Sequence, residues 1–277
     1  MSEVKVRQSV VYGSGGGREL KCDIYTPPGA TAKAPAILLV HGGGWRQGER
    51  GVMRGYGERL AAAGFVGVAP EYRLTPESAW PAQIHDIKAA VRWVRANADE
   101  LGVDPERIAI LGRSAGAHLA LLVAGAPDLA DFDGVGGNAG VSSAVAASIA
   151  IFPPTLFFLG EERVHGGSPA HSLLGDAATA ELARAASPVS YARPGFPPTF
   201  LLHGTADKLV PASASMVMYE ALVAAHVPVE MHMYAEQPHG FAGQPEFLDL
   251  CAAEIAHFLD RYLIPAAART AQAVGAG

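Results

Sequence analysis

Cysteine is scarce in this chain of 277 residues, which has two, and that scarcity excludes a scaffold held by a disulfide framework. Cys22 alternates with Leu20 and Ile24 on one face of a strand pattern, while Cys251 falls on the apolar side of a C-terminal helical pattern. Both read as buried free thiols. Charge is sparse as well: 17% of residues are charged, the formal net charge is −6, and lysine and arginine form no cluster. Nucleic acid and anionic membrane surfaces are therefore not expected as partners. Long hydrophobic runs are missing, and the longest, around residues 144–152, is far too short to span a bilayer. The opening stretch MSEVKVRQSV has no apolar segment of the kind a secretory signal needs, so a cytoplasmic location is expected. No two histidines combine with cysteine or carboxylates at the spacing of a zinc site. Neither a metal nor another cofactor is expected.

What the sequence does have is alternation. VRQSVVY and RELKCDIY flank the glycine run GSGGG and read as a hairpin. APAILLV (34–40) is a continuous apolar run of strand length, as in a parallel strand buried on both faces. A helix over 52–63, a strand at FVGVAP and a helix over 81–97 follow, the last with Ile84, Ile87, Val91 and Val94 at helical spacing. VDPER reads as a turn into the strand RIAIL, and a helix follows Ser114. After a glycine-rich loop (134–140) come strands at AVAASIAIF, PTFLLHG and VEMHMY, and an amphipathic helix over 245–262. This order predicts an α/β fold with a mostly parallel sheet of about eight strands, an N-terminal antiparallel hairpin and helices on both faces. One domain is expected over 1–265, with 153–198 as a small cap-like insertion and 266–277 as a flexible tail.

In open parallel sheets, ligands bind beyond the carboxyl ends of the strands. GRSAGAH occupies such a place, with Ser114 between Gly112 and Gly116 at a sharp strand-to-helix turn. That turn lifts a hydroxyl above the sheet and points the next helix's first amides at any developing oxyanion. A serine needs a base. Of the ten histidines, His118 reads as packed beneath the turn, and His85, His226 and His257 as boundary residues on helices. His232 lies in a strand, and His165 and His171 lie in the irregular segment. His239, in the loop EQPHGF after the last strand, can reach over the sheet's end. Asp207, in LLHGTADKLVP, is the expected acid that orients it, with Glu236 as the runner-up. HGGGW (41–45) directly follows the strand 34–40, and Gly43 and Gly44, with Ala115, are the expected oxyanion donors. Trp45 reads equally as pocket wall or core, and Phe157 and Phe158 read as pocket lining or as anchors of their segment. His41 is expected to hold its own loop, Tyr72 and Arg73 to brace it, and Arg73 to pair with Asp86.

With these stretches in place, the sequence resembles the α/β-hydrolase superfamily over essentially its whole length. Within it the chain is similar to microbial carboxylesterases related to hormone-sensitive lipase, and closer still to the feruloyl and acetyl-xylan esterase-like (BD-FAE-like) group. HGGGW, PEYRLTPES, GRSAGAHLA, HGTADKLVP and PHGF stand in family order. The resemblance implies a Ser114–Asp207–His239 triad, oxyanion donors at Gly43, Gly44 and Ala115, and no cofactor. Two positions depart from the hormone-sensitive lipase pattern, Arg113 before the nucleophile and Ala117 after the turn. That family's N-terminal helical cap is also not seen, which predicts an open cleft suited to short acyl groups. The expected function is a serine carboxylesterase acting on short-chain esters, acetyl or feruloyl sugar esters among them. An arylformamidase, similar through its HGG-x-W loop, and a non-catalytic ligand receptor on the same scaffold remain as alternatives. The expected partners are a small-molecule ester and, as an assembly, a second copy of the chain in a homodimer.

Overall fold

Two glycines with positive φ, Gly16 (59°) and Gly17 (79°), close a two-residue turn of the mirror-image kind that matches strand twist. The turn folds strand β1 (Lys5–Gly15) antiparallel onto β2 (Arg18–Thr26). The computed structural model describes residues 3–29, 33–157 and 169–264. After the hairpin come β3 (Ala34–Val40), α1 (Arg54–Ala62), β4 (Val66–Pro70), α2 (Ala82–Ala96), the short α3 (Ala98–Leu101), β5 (Val103–Arg113) and α4 (Ala115–Gly125). Then follow β6 (Ala147–Ile151), α5 (Pro169–Leu174), α6 (Ala180–Ala185), β7 (Thr199–Gly204), α7 (Ser213–Ala224), β8 (Val229–Tyr234) and α8 (Pro245–Leu263). The strands form one eight-stranded sheet in the order β1-β2-β4-β3-β5-β6-β7-β8, parallel from β4 onward.

Alternation along β3 shows how the sheet is covered. Ile37 and Leu39 point into a layer shared with Tyr56 and Leu60 of α1 and Ile255, Phe258 and Leu259 of α8. Ala36, Leu38 and Val40 point the other way, toward Ile84, Ile87 and Val91 of α2 and Leu119 and Val123 of α4. Leu121, Leu201, Met218 and Leu222 fill the space between α4, β7 and α7. Cys22 and Cys251 are both free and buried. Among the described residues no helix is long and apolar enough to cross a membrane. The described part of the 153–198 segment packs onto the body: Leu173, Leu174, Ala183 and Ala186 join the core that α2 and α4 build. Residues 266–277, expected as a tail, lie outside the described residues.

Two expectations are corrected here. VDPER is not a turn before the strand but its first half, because Val103 already pairs with Ala34 and the register shifts before Ala36 meets Ile108. An irregular pairing of this kind keeps a strand going through a sequence that reads as a breaker. Arg73 does not brace the loop after β3. Its guanidinium makes a two-pronged contact with Asp86 of α2, Nε to Oδ2 at 2.9 Å and Nη2 to Oδ1 at 2.8 Å, while its backbone N–H donates to Oδ2 at 2.8 Å. The expected ion pair is therefore present, and it ties the end of β4 to α2. Further along α2, Lys88, Arg92 and Arg95 donate to carbonyls of the connection between α4 and β6, among them Pro127 (2.8 Å), Asp133 (2.9 Å) and Ala144 (2.7 Å).

Asp86 is 1% exposed at its side chain and Arg73 18%, so removing the carboxylate charge strands a guanidinium in a place of low polarity. Asp86→Asn should destabilise the protein by about 3 kcal/mol, lowering Tm by roughly 6–12 °C. Glu58→Gln, which breaks the exposed Arg54–Glu58 pair, should leave Tm unchanged in the same thermal melts.

Candidate active site

The ends of the central strands lie level. Val40 of β3 pairs with Gly112 of β5, Arg113 of β5 with Ile151 of β6, and Ile151 with Leu202 of β7. The segments that follow these strands therefore meet at one edge. Ser114 is the residue between β5 and α4, held at φ 52°, ψ −120°. A non-glycine residue reaches such a conformation only when its surroundings impose it. The cause is the close approach on either side. A Cβ on Gly112 would stand 2.1 Å from the Gly116 oxygen, and one on Gly116 would stand 2.2 Å from the Val40 oxygen. Serine at a helix N-cap ordinarily accepts a hydrogen bond from an amide of the first turn. Ser114 makes no such bond. Its Oγ turns instead to His239 Nε2, 3.0 Å away.

His239 Nδ1 donates to Asp207 Oδ2 at 2.6 Å, so the three side chains form one hydrogen-bonded chain. Asp207 follows β7 by three residues and His239 follows β8 by five. The two loops are joined, since Ala206 N donates to Gln237 O (3.0 Å) and Glu236 N to Thr205 Oγ1 (2.8 Å). Asp207 Oδ1 accepts from the amides of Leu209 and Val210, each at 2.9 Å. Glu236, the runner-up acid, is exposed and takes no part in the chain. One polar neighbour escaped the sequence reading. His203, at the end of β7, has no exposed surface and brings Nε2 to 3.3 Å from Asp207 Oδ2. The usable signal was a histidine four residues before the expected acid, at a strand end. On the other side of His239 lies Phe152, with its ring 4.5 Å away and its backbone at φ 42°. Arg113 stacks its guanidinium 5.8 Å from the same ring, and its Nε has no hydrogen-bond partner among the described residues. Burial pushes that guanidinium's pKa down.

The loop after β3 closes the other side of Ser114. Gly43 (φ 118°), Gly44 (φ 60°) and Trp45 (φ 59°) all have positive φ, and Gly43 O accepts from the amides of Arg46 (3.2 Å) and Gln47 (3.1 Å). Among the described residues, no acceptor takes the N–H of Gly43, Gly44 or Ala115. The loop is fixed from below: Tyr72 donates its hydroxyl to His41 O at 3.0 Å, and His41 stacks on Tyr72 with ring centroids 4.3 Å apart. His41 Nδ1 donates to Gly42 O at 2.7 Å. Trp45 and Phe157 are buried in the core layer with α2 and α4, where both contact His118, Phe157 by stacking at 5.0 Å. Phe158 lies outside the described residues. Among the described residues no group of three or more His, Cys, Asp or Glu is placed to hold a metal ion. Chemically, a hydroxyl hydrogen-bonded to an imidazole that is oriented by a carboxylate can attack an acyl carbon, and clustered free amides can hold the resulting oxyanion.

Comparison with known proteins places the chain among esterases. The BD-FAE family model matches residues 22–222. Esterase LipQ of Mycobacterium tuberculosis is 35% identical over 222 residues, covering 77% of this chain and 52% of LipQ. LipM of the same organism, a probable carboxylic ester hydrolase, is 33% identical over 80% of this chain and 52% of its own length. The chain thus spans about half the length of these curated relatives. A thermophilic esterase, Est2 of Thermogutta terrifontis, superposes with a TM-score of 0.78 at 30% identity, covering 96% of this chain and 94% of that one. It has also been solved with propionate and with butyrate bound.

The histidine beneath the turn generates a pH prediction. His118 accepts from Trp45 Nε1 at Nδ1 (3.3 Å) and donates from Nε2 to Ala186 O (2.7 Å), and burial pulls its pKa down to about 3. The unfolded chain, with a histidine pKa of about 6.5, takes up a proton that the folded chain refuses. The stability this contributes is complete above pH of about 6.5 and is lost as pH falls from there toward 3, by up to about 1.4 kcal/mol per pH unit. Urea midpoints measured across that window should fall less steeply with acid for His118→Leu than for the wild type.

Proposed function

The chain belongs to the BD-FAE family of α/β-hydrolase esterases, and from that membership we propose that it is a cytoplasmic enzyme that hydrolyses short-chain carboxylic esters through an acyl-enzyme on Ser114. The observation that carries the reading is the 3.0 Å bond from Ser114 to His239, made by a serine that gives up its helix-capping bond. Ser114 Oγ attacks the ester carbonyl while its proton passes to His239 Nε2. Asp207, on Nδ1, stabilises the imidazolium and holds the ring in the tautomer the transfer needs. The negative oxygen of the tetrahedral intermediate is held by the free amides of Gly43, Gly44 and Ala115, each such donor being worth about 100- to 1,000-fold in rate. Collapse expels the alcohol, which takes the proton back from Nε2. A water then repeats the sequence on the acyl-enzyme, releasing the carboxylic acid and restoring the serine.

The propionate and butyrate complexes of the Thermogutta esterase support a short acyl group. Small-molecule esters, acetylated or feruloylated sugars included, are the proposed substrates. Trp45 and Phe157, packed on His118 in the core, back the oxyanion loop from beneath. Two buried free thiols support a reducing compartment.

Hydrolysis of p-nitrophenyl esters from acetate to decanoate, with Ser114→Ala beside the wild type, tests this reading. The wild type should be fastest on the short chains, and the variant should lose about a thousandfold or more. A wild type inactive on every ester, or a variant that keeps its rate, overturns the assignment. Cleavage of N-formylkynurenine in preference to p-nitrophenyl acetate would replace the ester reading by the formamide one.

A further inference from the structure

Asp207 is approached by two histidines, and the mechanism uses one. His239 Nδ1 lies 2.6 Å from Oδ2, and His203 Nε2 lies 3.3 Å from the same oxygen. His203 is fully buried and makes two further polar contacts, Nε2 to Val210 O at 2.9 Å and Nδ1 to Ser215 Oγ at 2.7 Å. These contacts fix its proton. A carbonyl and a carboxylate can only accept, so Nε2 carries the hydrogen and donates it to Val210 O, with Asp207 Oδ2 at 3.3 Å as a second, weaker acceptor. Nδ1 is then an acceptor, and the Ser215 hydroxyl donates to it. Burial lowers the pKa of this ring, outweighing the opposing pull of its Val210 bond and of Asp207, which keeps it neutral.

We propose that His203 is a positioning residue for Asp207: its Nε2–H helps hold the plane of the carboxylate toward His239 and limits how basic the oxygen facing His239 is. The inference rests on the reading of Ser114, His239 and Asp207 given above. A carboxylate offers about four acceptor sites. Here Leu209 N and Val210 N donate to Oδ1 and His239 to Oδ2, while His203 Nε2, bonded first to Val210 O, stands 3.3 Å from Oδ2 as a fourth, weaker contact. Val210 is held at both ends, with its N–H on Asp207 and its carbonyl on His203. Rotation of the carboxyl would break all of these bonds together. The fourth donor also draws negative charge away from His239, so the imidazolium that forms during attack is stabilised less and gives up its proton to the leaving alcohol more readily. Among the described residues, the titratable groups facing His203 are Asp207 on the loop after β7 and His239 from the loop after β8. From α7 it meets the Ser215 hydroxyl, and from the end of β6 the Phe152 ring, 6.5 Å away.

His203→Leu, His203→Gln and Ser215→Ala in the full chain test the proposal with two readouts. One is the pH dependence of kcat and kcat/KM on p-nitrophenyl acetate. The other is an NMR titration of the His239 imidazole, which needs no turnover. In His203→Leu, kcat should drop about tenfold with KM unchanged. The His239 midpoint and the acid limb of kcat/KM should both move to higher pH by about half a unit, because a carboxylate with fewer donors holds the imidazolium more tightly. Gln, whose amide can donate in place of Nε2–H, should recover most of the rate and the wild-type midpoint. Ser215→Ala, which removes only the donor to Nδ1, should shift the midpoint in the same direction by less. Equal rates and midpoints for Leu and Gln, with the wild-type His239 midpoint, would reduce His203 to a core filler and overturn the proposal. Should the Leu variant fail to fold, an unmoved midpoint in Ser215→Ala overturns it equally. A wild type without esterase activity defeats the functional reading alone, since the NMR titration still reports on the pair.

Discussion

At the turn between β5 and α4 the backbone comes so close to itself that two positions have no room for a side chain. Hypothetical Cβ atoms on Gly112 and Gly116 would lie 2.1 and 2.2 Å from carbonyl oxygens of Gly116 and Val40. That contact fixes how deeply α4 docks against the ends of β3 and β5, and it forces Ser114 to positive φ. It also decides where the loop after β3 can run, since a Cβ on Gly42 would meet the Arg113 oxygen at 2.8 Å. Ser114, the proposed nucleophile, the helix amide behind it and the glycine amides opposite are thus placed by one packing constraint.

Around this point the polar groups are buried but paired. His41, His118 and His203 each have their pKa lowered, with burial the largest cause, and each finds partners as a neutral ring. A buried neutral histidine offers one donor and one acceptor at fixed angles, which suits it to joining a loop carbonyl to a second group. His118 joins Trp45 to Ala186, and His203 joins Ser215 to Val210. The site is therefore rigid where its walls are made and open where His239 and Ser114 meet solvent.

Much of this could be read from the sequence, for reasons that differ from place to place. Strand-length apolar runs and helical spacing located the sheet and its covering helices, because each face of β3 buries against a different layer. The glycines around Ser114 and the Pro-His-Gly loop at His239 were legible because a turn that tight leaves a residue-type signature. VDPER was misread because its proline and charges signal a break, while a shifted register lets the strand absorb them. The pairing of Arg73 with Asp86, thirteen positions on, was legible, but the bracing of the neighbouring loop was inferred from sequence proximity alone, and the guanidinium is turned to α2 instead. His203 was missed for the opposite reason, its position four residues before the acid being the one faint signal. A histidine inside an apolar strand looks like any other, and only the fold of the 204–210 loop brings its ring against the carboxylate.

The conformation of Ser114 has a consequence for how such a chain evolves. At φ 52°, ψ −120°, glycine would rest without the strain of about 1–3 kcal/mol that a side chain incurs there. The residue best suited to folding at position 114 is therefore not the residue best suited to chemistry. Selection for a sturdier fold alone would drift toward glycine there, so under the proposed function the serine persists only while catalysis is under selection.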